Sequence, residues 1–214
     1  MFFGTEPEWL PTDTLFEKGK NIGLTENEYR KWQNSHARVL EVGTGTRGSA
    51  LKELLEDKID CIGLEPGILY KEDDNYSLYE TDQLLKDRVA PLNACDAMDH
   101  PDIKKNGLVD YVFAQSANFA TYTKSKFDLI NQILGLIFAL KRTRDSYLTF
   151  EVRNDDLRFS FRGNTERFNL KEFLLRINAR YYVRTTVYGT KYLVIYRIKD
   201  SGKDIVSDLE KALH

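Results

Sequence analysis

The sequence predicts an α/β protein whose mostly parallel sheet ends in an antiparallel hairpin, and three observations carry this prediction. An apolar segment enters a glycine-rich turn within residues 38–48 and is followed by a helix-like segment. Apolar and amphipathic segments then alternate as far as residue 177, which is typical of a parallel sheet with helices on its faces. Two strand-like segments, 181–187 and 191–197, are joined by a very short connection, so they must pair antiparallel.

The composition is that of a globular domain. The chain has 214 residues, of which 42% are hydrophobic and 30% charged, and this length can bury a core on both faces of a sheet. The apolar run 133–140 is too short to span a bilayer, and the N-terminus lacks the pattern of a secretory signal. We therefore expect a cytoplasmic protein with an N-terminal helical or lid extension at 1–36, one main domain at 37–198, and a helical tail at 199–214.

The residues before the glycine-rich turn are rich in aromatic side chains. Thr25 and Glu28 have the spacing of a helix cap, so a helix is expected to start there. The aromatic residues either cover one edge of the sheet or form a lid or wall of a substrate pocket. They are Phe2, Phe3, Trp9, Phe16, Tyr29 and Trp32.

The first strand and turn, Arg38 to Gly48, read RVLEVGTGTRG. Gly43 and Gly45 can take backbone angles that are closed to other residues, and they let the main chain approach a ligand closely. The N-terminus of the helix that follows, over 49–56, offers unpaired N–H groups to polar or anionic ligand atoms. This segment predicts a nucleotide-binding corner.

Two acidic residues follow the next strands. Glu65 closes a strand at 59–64 and lies 22 positions after Gly43, the separation that brings a carboxylate beside the ribose of a nucleotide. A third strand near 89–93 leads to Asp96, which either accepts a hydrogen bond from a purine amino group or serves as a turn or helix-cap aspartate.

The remaining elements complete the alternation. A strand at 107–113 is followed by a loop that opens over the same end of the sheet, then by a helix over 127–140. A fifth strand at 147–152 precedes a helix that starts at Asn169 and runs through Ile177.

The cysteines and the charge pattern leave partners open. Cys61 and Cys95 lie in apolar segments, so we expect buried, reduced thiols rather than a disulfide, and no metal site. Basic residues outnumber acidic ones between 141 and 197. The arginines there either form solvated faces, some of them paired with the acidic N-terminal part, or form a patch that steers an anionic substrate such as nucleic acid. Examples are Arg176, Arg180, Arg184 and Arg197.

With these features in place, the chain resembles the class I S-adenosylmethionine-dependent methyltransferases over about residues 36–198. The most specific piece is Glu41-Val42-Gly43-Thr44-Gly45, because that family carries an acidic residue two positions before the first glycine. The resemblance implies a three-layer Rossmann-like fold with a seven-stranded sheet in the order 3-2-1-4-5-7-6, and S-adenosylmethionine as cofactor with S-adenosylhomocysteine as product. The cofactor-binding residues that it implies are Glu41, Gly43, Thr44, Gly45, Arg47, Glu65, Pro66, Gly67, Ile68, Asp96, Ala97, Gln115 and Ser116.

One position departs from the family. The common pattern G-x-G-x-G would place a third glycine at 47, where this chain has Arg47 followed by Gly48. The arginine could reach the cofactor carboxylate, or its bulk could narrow the site. The nicotinamide pattern G-x-G-x-x-G is also formally matched, but the short chain and the terminal hairpin argue against a dehydrogenase.

The expected function is methyl transfer to a small molecule by direct in-line displacement. A general base is optional, and the weak candidates at the expected sheet end are Tyr122, Glu151, Asp155 and His100, each of which could instead be a structural or surface residue. Alternatives are a non-catalytic subunit that binds a protein or RNA partner, an RNA or protein methyltransferase, and another transferase on the same fold. Nucleic acid is a conceivable partner through the basic C-terminal third, and no membrane is expected.

Overall fold

A computed structural model describes residues 24, 26–45, 47–69, 81–114, 123–152, 157–161, 167–177, 179–185 and 189–196. Its helices are α1 (Glu26–Asn34), α2 (Ser49–Glu56), α3 (Gln83–Arg88), α4 (Pro101–Asn106), α5 (Lys126–Ala139) and α6 (Leu170–Arg176). Its strands are β1 (Arg38–Val42), β2 (Asp60–Leu64), β3 (Val89–Ala90), β4 (Tyr111–Ala114), β5 (Tyr147–Val152), β6 (Arg158–Ser160), β7 (Arg167–Asn169), β8 (Tyr181–Thr185) and β9 (Lys191–Tyr196). Short 3₁₀ helices cover Pro66–Leu69 and Ala94–Asp99.

Seven strands form one sheet in the order β3-β2-β1-β4-β5-β9-β8. Strands β1 to β5 pair in parallel, whereas β9 is antiparallel to both β5 and β8. This confirms the predicted Rossmann-like α/β fold. The order equals the predicted 3-2-1-4-5-7-6 once β6 and β7, which lie outside this sheet, are left out of the numbering.

The small sheet of β6 and β7 was not predicted. Phe159 lies opposite Phe168 in its antiparallel register, and the Phe168 ring lies 6.1 Å from the ring of Phe173 in α6. Strands of three residues are too short to show an alternation of apolar and polar side chains. Their position depends instead on this contact with a helix later in the chain. The small sheet follows β5 in the chain and precedes α6.

The two faces of the large sheet carry two separate cores. One face packs against α5 and α6, and the other packs against α1 and α2. On the second face the ring of Trp32 stacks on Tyr111 of β4 at 4.9 Å, with the rings 20° from parallel. Trp32 and Tyr29 therefore cover the middle of the sheet rather than its edge, while Phe2, Phe3, Trp9 and Phe16 lie outside the described residues.

Several element boundaries differ from the sequence-based expectations. Strand β4 begins at Tyr111 rather than at residue 107, and only Val109 forms an isolated bridge, to Leu140, ahead of it. Strand β3 keeps two of its five expected residues, because the chain turns into the 3₁₀ helix Ala94–Asp99 soon afterwards. Helix α4 was not anticipated at all, since six residues give little periodicity.

The two cysteines differ in environment. Cys61 is fully buried in β2, and this burial raises the pKa of its thiol well above the ordinary value. Cys95 was expected to be buried, but the 3₁₀ helix turns its side chain outward and leaves it exposed. None of the helices in the described ranges has both the length and the apolar character needed to cross a bilayer.

Candidate functional site

The turn after β1 leaves its backbone open on one side. Gly43 and Gly45 have φ angles of +73° and +63°, a region that favours glycine. A Cβ atom built on either residue would meet no atom of the described residues within 4 Å. The predicted close approach of a ligand to the main chain is therefore sterically available at both glycines.

This turn is fastened to the end of β2. The amide of Gly43 donates to the carbonyl of Leu64 at 2.8 Å, and the amide of Thr44 donates to the same oxygen at 3.4 Å. Thr44 is buried over Gly63, where an added Cβ would lie only 2.3 Å from the Thr44 methyl carbon. Sequence reasoning missed the role of Gly63, although an isolated glycine within a strand often signals such a close approach.

Glu65 joins the glycine turn to the loop after β2. Its side chain is 7% exposed, and its two oxygens accept from the amides of Gly45 at 2.8 Å and Gly67 at 3.0 Å. Its own amide donates to the carbonyl of Ala90, the last residue of β3, at 3.0 Å. Each carboxylate oxygen retains a further lone pair, so the fixed group can still accept from a ligand hydroxyl.

Gly48 supplies the third special backbone position of the turn. Its φ is +54°, it caps α2 without a side-chain hydrogen bond, and a Cβ there would lie 2.4 Å from Leu85 Cδ2. Glycine is thus required at 48 rather than at 47. The side chain of Arg47 is exposed, so its bulk does not fill the interior of the turn.

The segment after β3 presents Asp96. The 3₁₀ helix Ala94–Asp99 is anchored by the buried Ala94 and Ala97, whereas Asp96 between them is exposed. The backbone leaves helical angles at Asp96, with φ −100° and ψ 15°, and the Asp96 amide donates to the carbonyl of Asn93 at 3.0 Å. The buried side chains of Ala94 and Ala97 therefore hold this turn so that the Asp96 carboxylate faces outward.

The other predicted cofactor-binding residues fall in two groups. Glu41 is buried in β1, in register between Gly63 and Phe113, and Pro66, Gly67 and Ile68 form the half-buried 3₁₀ turn that follows Glu65. One group of predicted residues is thus joined continuously by strand pairing and hydrogen bonds at the ends of β1 and β2. Its members are Glu41, Gly43, Thr44, Gly45, Glu65 and Gly67. Gln115 and Ser116, and the base candidates Tyr122 and Asp155, lie outside the described residues.

His100 lies in the interior of the fold, at the start of α4. It is 2% exposed and caps α4, its Nδ1 accepting from the amide of Asp102 at 3.1 Å. The Asp102 carboxylate in turn pairs with Arg38, the first residue of β1, which marks the amino edge. Burial lowers the pKa of His100 and favours a neutral ring. This location gives no support to the predicted role as a general base.

Glu151 remains at the expected end. It is the penultimate residue of β5, is half-buried, and stands opposite Tyr192 of β9. Burial, and then the charge of Glu151, raise the pKa of the Tyr192 hydroxyl. Among the described base candidates, Glu151 alone is therefore at the carboxyl edge.

Among the described residues of the basic C-terminal third, the arginines differ in exposure and in their partners. Arg184 is 3% exposed and pairs with both oxygens of Glu28 in α1, at 2.7 and 2.8 Å. The guanidinium of Arg180 lies 4.5 Å from the centre of the Tyr196 ring, and Arg176 is exposed on α6. Arg184 thus supports the alternative of pairing with the acidic N-terminal part, while Arg197 lies outside the described residues.

The comparisons with known proteins bear on the fold. No family model matches the chain, and no curated protein sequence matches it. DesVI from Streptomyces venezuelae is 13% identical, with a TM-score of 0.53 over 80% of this chain and 88% of that chain. The S-adenosylmethionine-bound CalS10, an amino pentose methyltransferase from Micromonospora echinaspora, is 13% identical, with a TM-score of 0.51 over 91% of this chain and 100% of that chain. At such identities the likeness establishes the Rossmann-like methyltransferase fold.

Proposed function

We propose that this chain is an S-adenosylmethionine-dependent methyltransferase whose cofactor site lies at the carboxyl ends of β1, β2 and β3. The observation that carries the proposal is the Glu65 carboxylate, which two backbone amides fix beside a glycine turn where an added Cβ would meet no atom of the described residues. Open α/β sheets bind nucleotide-like ligands at this end of the strands. The domain that binds the cofactor would comprise residues 37–198.

The residues present fit the cofactor. The backbone at Gly43 and Gly45 can approach its methionine portion closely, because neither glycine is covered by the described residues. Glu65 can accept from the ribose hydroxyls, and Asp96 can accept from the adenine amino group. Pro66, Gly67, Ile68 and Ala97 would border the adenine, and Glu41, Thr44, Arg47, Gln115 and Ser116 would complete the site on the methionine side.

In methyl transfer from this cofactor, the main role of the protein is to position the acceptor and to exclude water. When bound, S-adenosylmethionine would supply a methyl group activated by a positively charged sulfur; the acceptor lone pair would bond to the methyl carbon in line with the breaking carbon–sulfur bond, with S-adenosylhomocysteine as the leaving group. Holding the acceptor in line and excluding water can lower the barrier by about 7–11 kcal/mol. Glu151 can take the proton if the acceptor is a hydroxyl or an amine, and Tyr122 and Asp155 remain predictions for the same role.

We propose a small molecule as the acceptor. The chain aligns with the full length of CalS10, an amino pentose methyltransferase, and the small sheet of β6 and β7 has only three residues in each strand.

Calorimetric titration with S-adenosylhomocysteine tests the cofactor site. Glu65→Gln keeps the shape of the side chain but places an NH₂ group against the Gly45 or Gly67 amide, so we expect affinity to fall about 30-fold or more. Glu56→Gln removes the same charge from the exposed far end of α2 and should leave affinity unchanged. Wild-type protein that binds neither S-adenosylmethionine nor S-adenosylhomocysteine would contradict the proposal.

A partner-binding role without methyl transfer is the second candidate. It is favoured by the exposed arginines Arg158, Arg167 and Arg176 on the small hairpin and on α6. RNA affinity that falls steeply with added salt, in a protein with no cofactor affinity, would support this alternative, since phosphate contacts release counterions.

A further inference from the structure

Gly135 is an unusual residue for its place. It lies buried in the middle of α5, where glycine lowers helix stability relative to alanine. A Cβ atom at this position would lie 2.5 Å from the carbonyl oxygen of Ala94, and 2.6 Å from both Cα and the carbonyl oxygen of Cys95. The glycine is therefore needed for a contact between two backbones, one of which belongs to the 3₁₀ helix after β3.

The contact partners are backbone atoms and cannot move aside as a side chain would. Either α5 or the 3₁₀ helix would have to shift if position 135 carried a methyl group. Helix α5 is held in the core by a row of buried side chains: Leu129, Ile130, Ile133, Leu136 and Ile137. The 3₁₀ helix is anchored only by Ala94 and Ala97, while Cys95, Asp96, Met98 and Asp99 are exposed. The 3₁₀ helix is thus the element that would move.

We infer that Gly135 is a positioning residue for the purine end of the cofactor site. It acts through the Ala94–Cys95 backbone, which immediately precedes Asp96, and so sets the place of the carboxylate that would receive the adenine amino group. This inference rests on the proposed cofactor site. It assigns a ligand-selecting role to a residue of the helix between β4 and β5 that contacts no ligand itself.

A comparison of two ligands tests the inference. S-adenosylhomocysteine has an amino donor at position 6 of its purine, whereas S-inosylhomocysteine has a carbonyl oxygen at that position, and this oxygen would face the Asp96 carboxylate as a second acceptor. Calorimetry should show that the wild type prefers the adenine ligand by about tenfold, the worth of one good hydrogen bond to a charged group. Gly135→Ala should reduce this preference to about twofold or less, and Asp96→Ala should do the same.

The double variant gives the sharper result. If Gly135 acts through Asp96, adding Gly135→Ala to Asp96→Ala should change the adenine preference no further, so the two effects are not additive. Ile130→Val, which trims the same helix without adding an atom at the contact, should keep the full preference. Additive effects, or an undiminished preference in Gly135→Ala, would overturn the inference.

A second variant covers the case in which Gly135→Ala does not fold. Ala94→Val enlarges the buried side chain of the residue whose carbonyl oxygen faces Gly135, so it should displace the same backbone and also reduce the preference for the adenine ligand. A full preference in a folded Ala94→Val protein would contradict the positioning role. Wild-type protein that binds neither ligand would instead overturn the cofactor site itself, so the two failures are distinguishable.

Discussion

The two ends of strand β1 differ in the contacts that surround them. At the amino end the guanidinium of Arg38 pairs with Asp60 and Asp102, and its Nη1 donates to the carbonyls of Asn106 and Gly107. At the carboxyl end, five residues later, the chain passes into the open backbone of Gly43. Strand β1 thus begins in a network of ion pairs and hydrogen bonds. It ends at a glycine where an added Cβ would meet no atom of the described residues.

The amino-end network spans several elements. Asp60 also pairs with Arg88 at the end of α3, and Asp110 accepts from the Arg38 amide at 2.9 Å and from Lys141 at 2.9 Å. These contacts tie β1 to β2, α3, α4 and the segment after α5. The comparison predicts that substitutions can change stability without changing ligand affinity, because the Arg38 network and the proposed cofactor site lie at different edges of the sheet.

The largest expected effect is on stability, at the amino edge. Arg38→Met keeps the apolar stem of the side chain but removes the guanidinium that Asp60, Asp102 and the carbonyls of Asn106 and Gly107 share, which should cost about 2–4 kcal/mol even though Arg88 still pairs with Asp60. Urea unfolding followed by circular dichroism measures it. Lys31→Met breaks the exposed pair with Asp145 and should cost less than about 0.5 kcal/mol. Equal losses in the two variants would contradict the proposed importance of this edge.

A matched pair of glycines sharpens the comparison. Gly43 at the carboxyl edge and Gly107 at the amino edge have φ angles of +73° and +88°, and neither would bring a Cβ within 4 Å of another described atom. Alanine should cost about 1–2 kcal/mol of stability at Gly43 and about 3 kcal/mol at Gly107, whose ψ of −175° lies in a backbone region that only glycine adopts readily. Only Gly43→Ala should also weaken S-adenosylhomocysteine binding, by about 100-fold, because its methyl group enters the proposed site.

Titration calorimetry and urea unfolding on both glycine variants provide the test. A Gly107→Ala protein that loses affinity as strongly as Gly43→Ala would show that binding responds to backbone strain anywhere in the domain, and not to the position of the added methyl group. That result would remove the distinction between the two edges.

The smallest effect concerns pH and His100. Burial lowers the pKa of His100 below its ordinary value of 6.5, so the unfolded chain binds more protons than the folded chain as the pH falls through 6.5. The stability associated with the neutral ring is therefore present above pH 6.5 and lost below it. Protonation would also remove the Nδ1 acceptor of the Asp102 amide.

The corresponding measurement is urea unfolding between pH 7.5 and 5.5. The wild type should lose up to about 1.4 kcal/mol more than His100→Asn over this range. Asparagine can accept from the same amide without titrating, and the exposed His36 is present in both proteins. Parallel pH profiles would show that His100 already binds its proton in the folded state.

Local patterns predicted the part of the site that depends on local geometry. The glycine turn and the spacing from Gly43 to Glu65 follow from one strand–helix–strand unit, and the structure brings Glu65 to within hydrogen-bonding distance of the Gly45 amide. The seven-stranded sheet order was likewise predicted, through the family resemblance and the short connection of the final hairpin.

Contacts between distant residues were not predictable from such patterns. Arg184 has the alternating position of an ordinary strand residue, and its burial depends on Glu28, which lies 156 positions away. His100 was expected near the ligand because it follows β3, but its side chain is buried and caps α4 instead. The contact of Gly135 with the Ala94–Cys95 backbone likewise exists only in three dimensions.

Amide hydrogen exchange with and without S-adenosylhomocysteine tests the central claim most directly, because it locates the ligand on the sheet. The account predicts slower exchange on ligand addition at residues 43–50, 65–69 and 94–98, and unchanged exchange at residues 101–110 of the amino edge. Protection confined to other segments, or no change anywhere at saturating ligand, would contradict a cofactor site at the carboxyl ends of β1, β2 and β3.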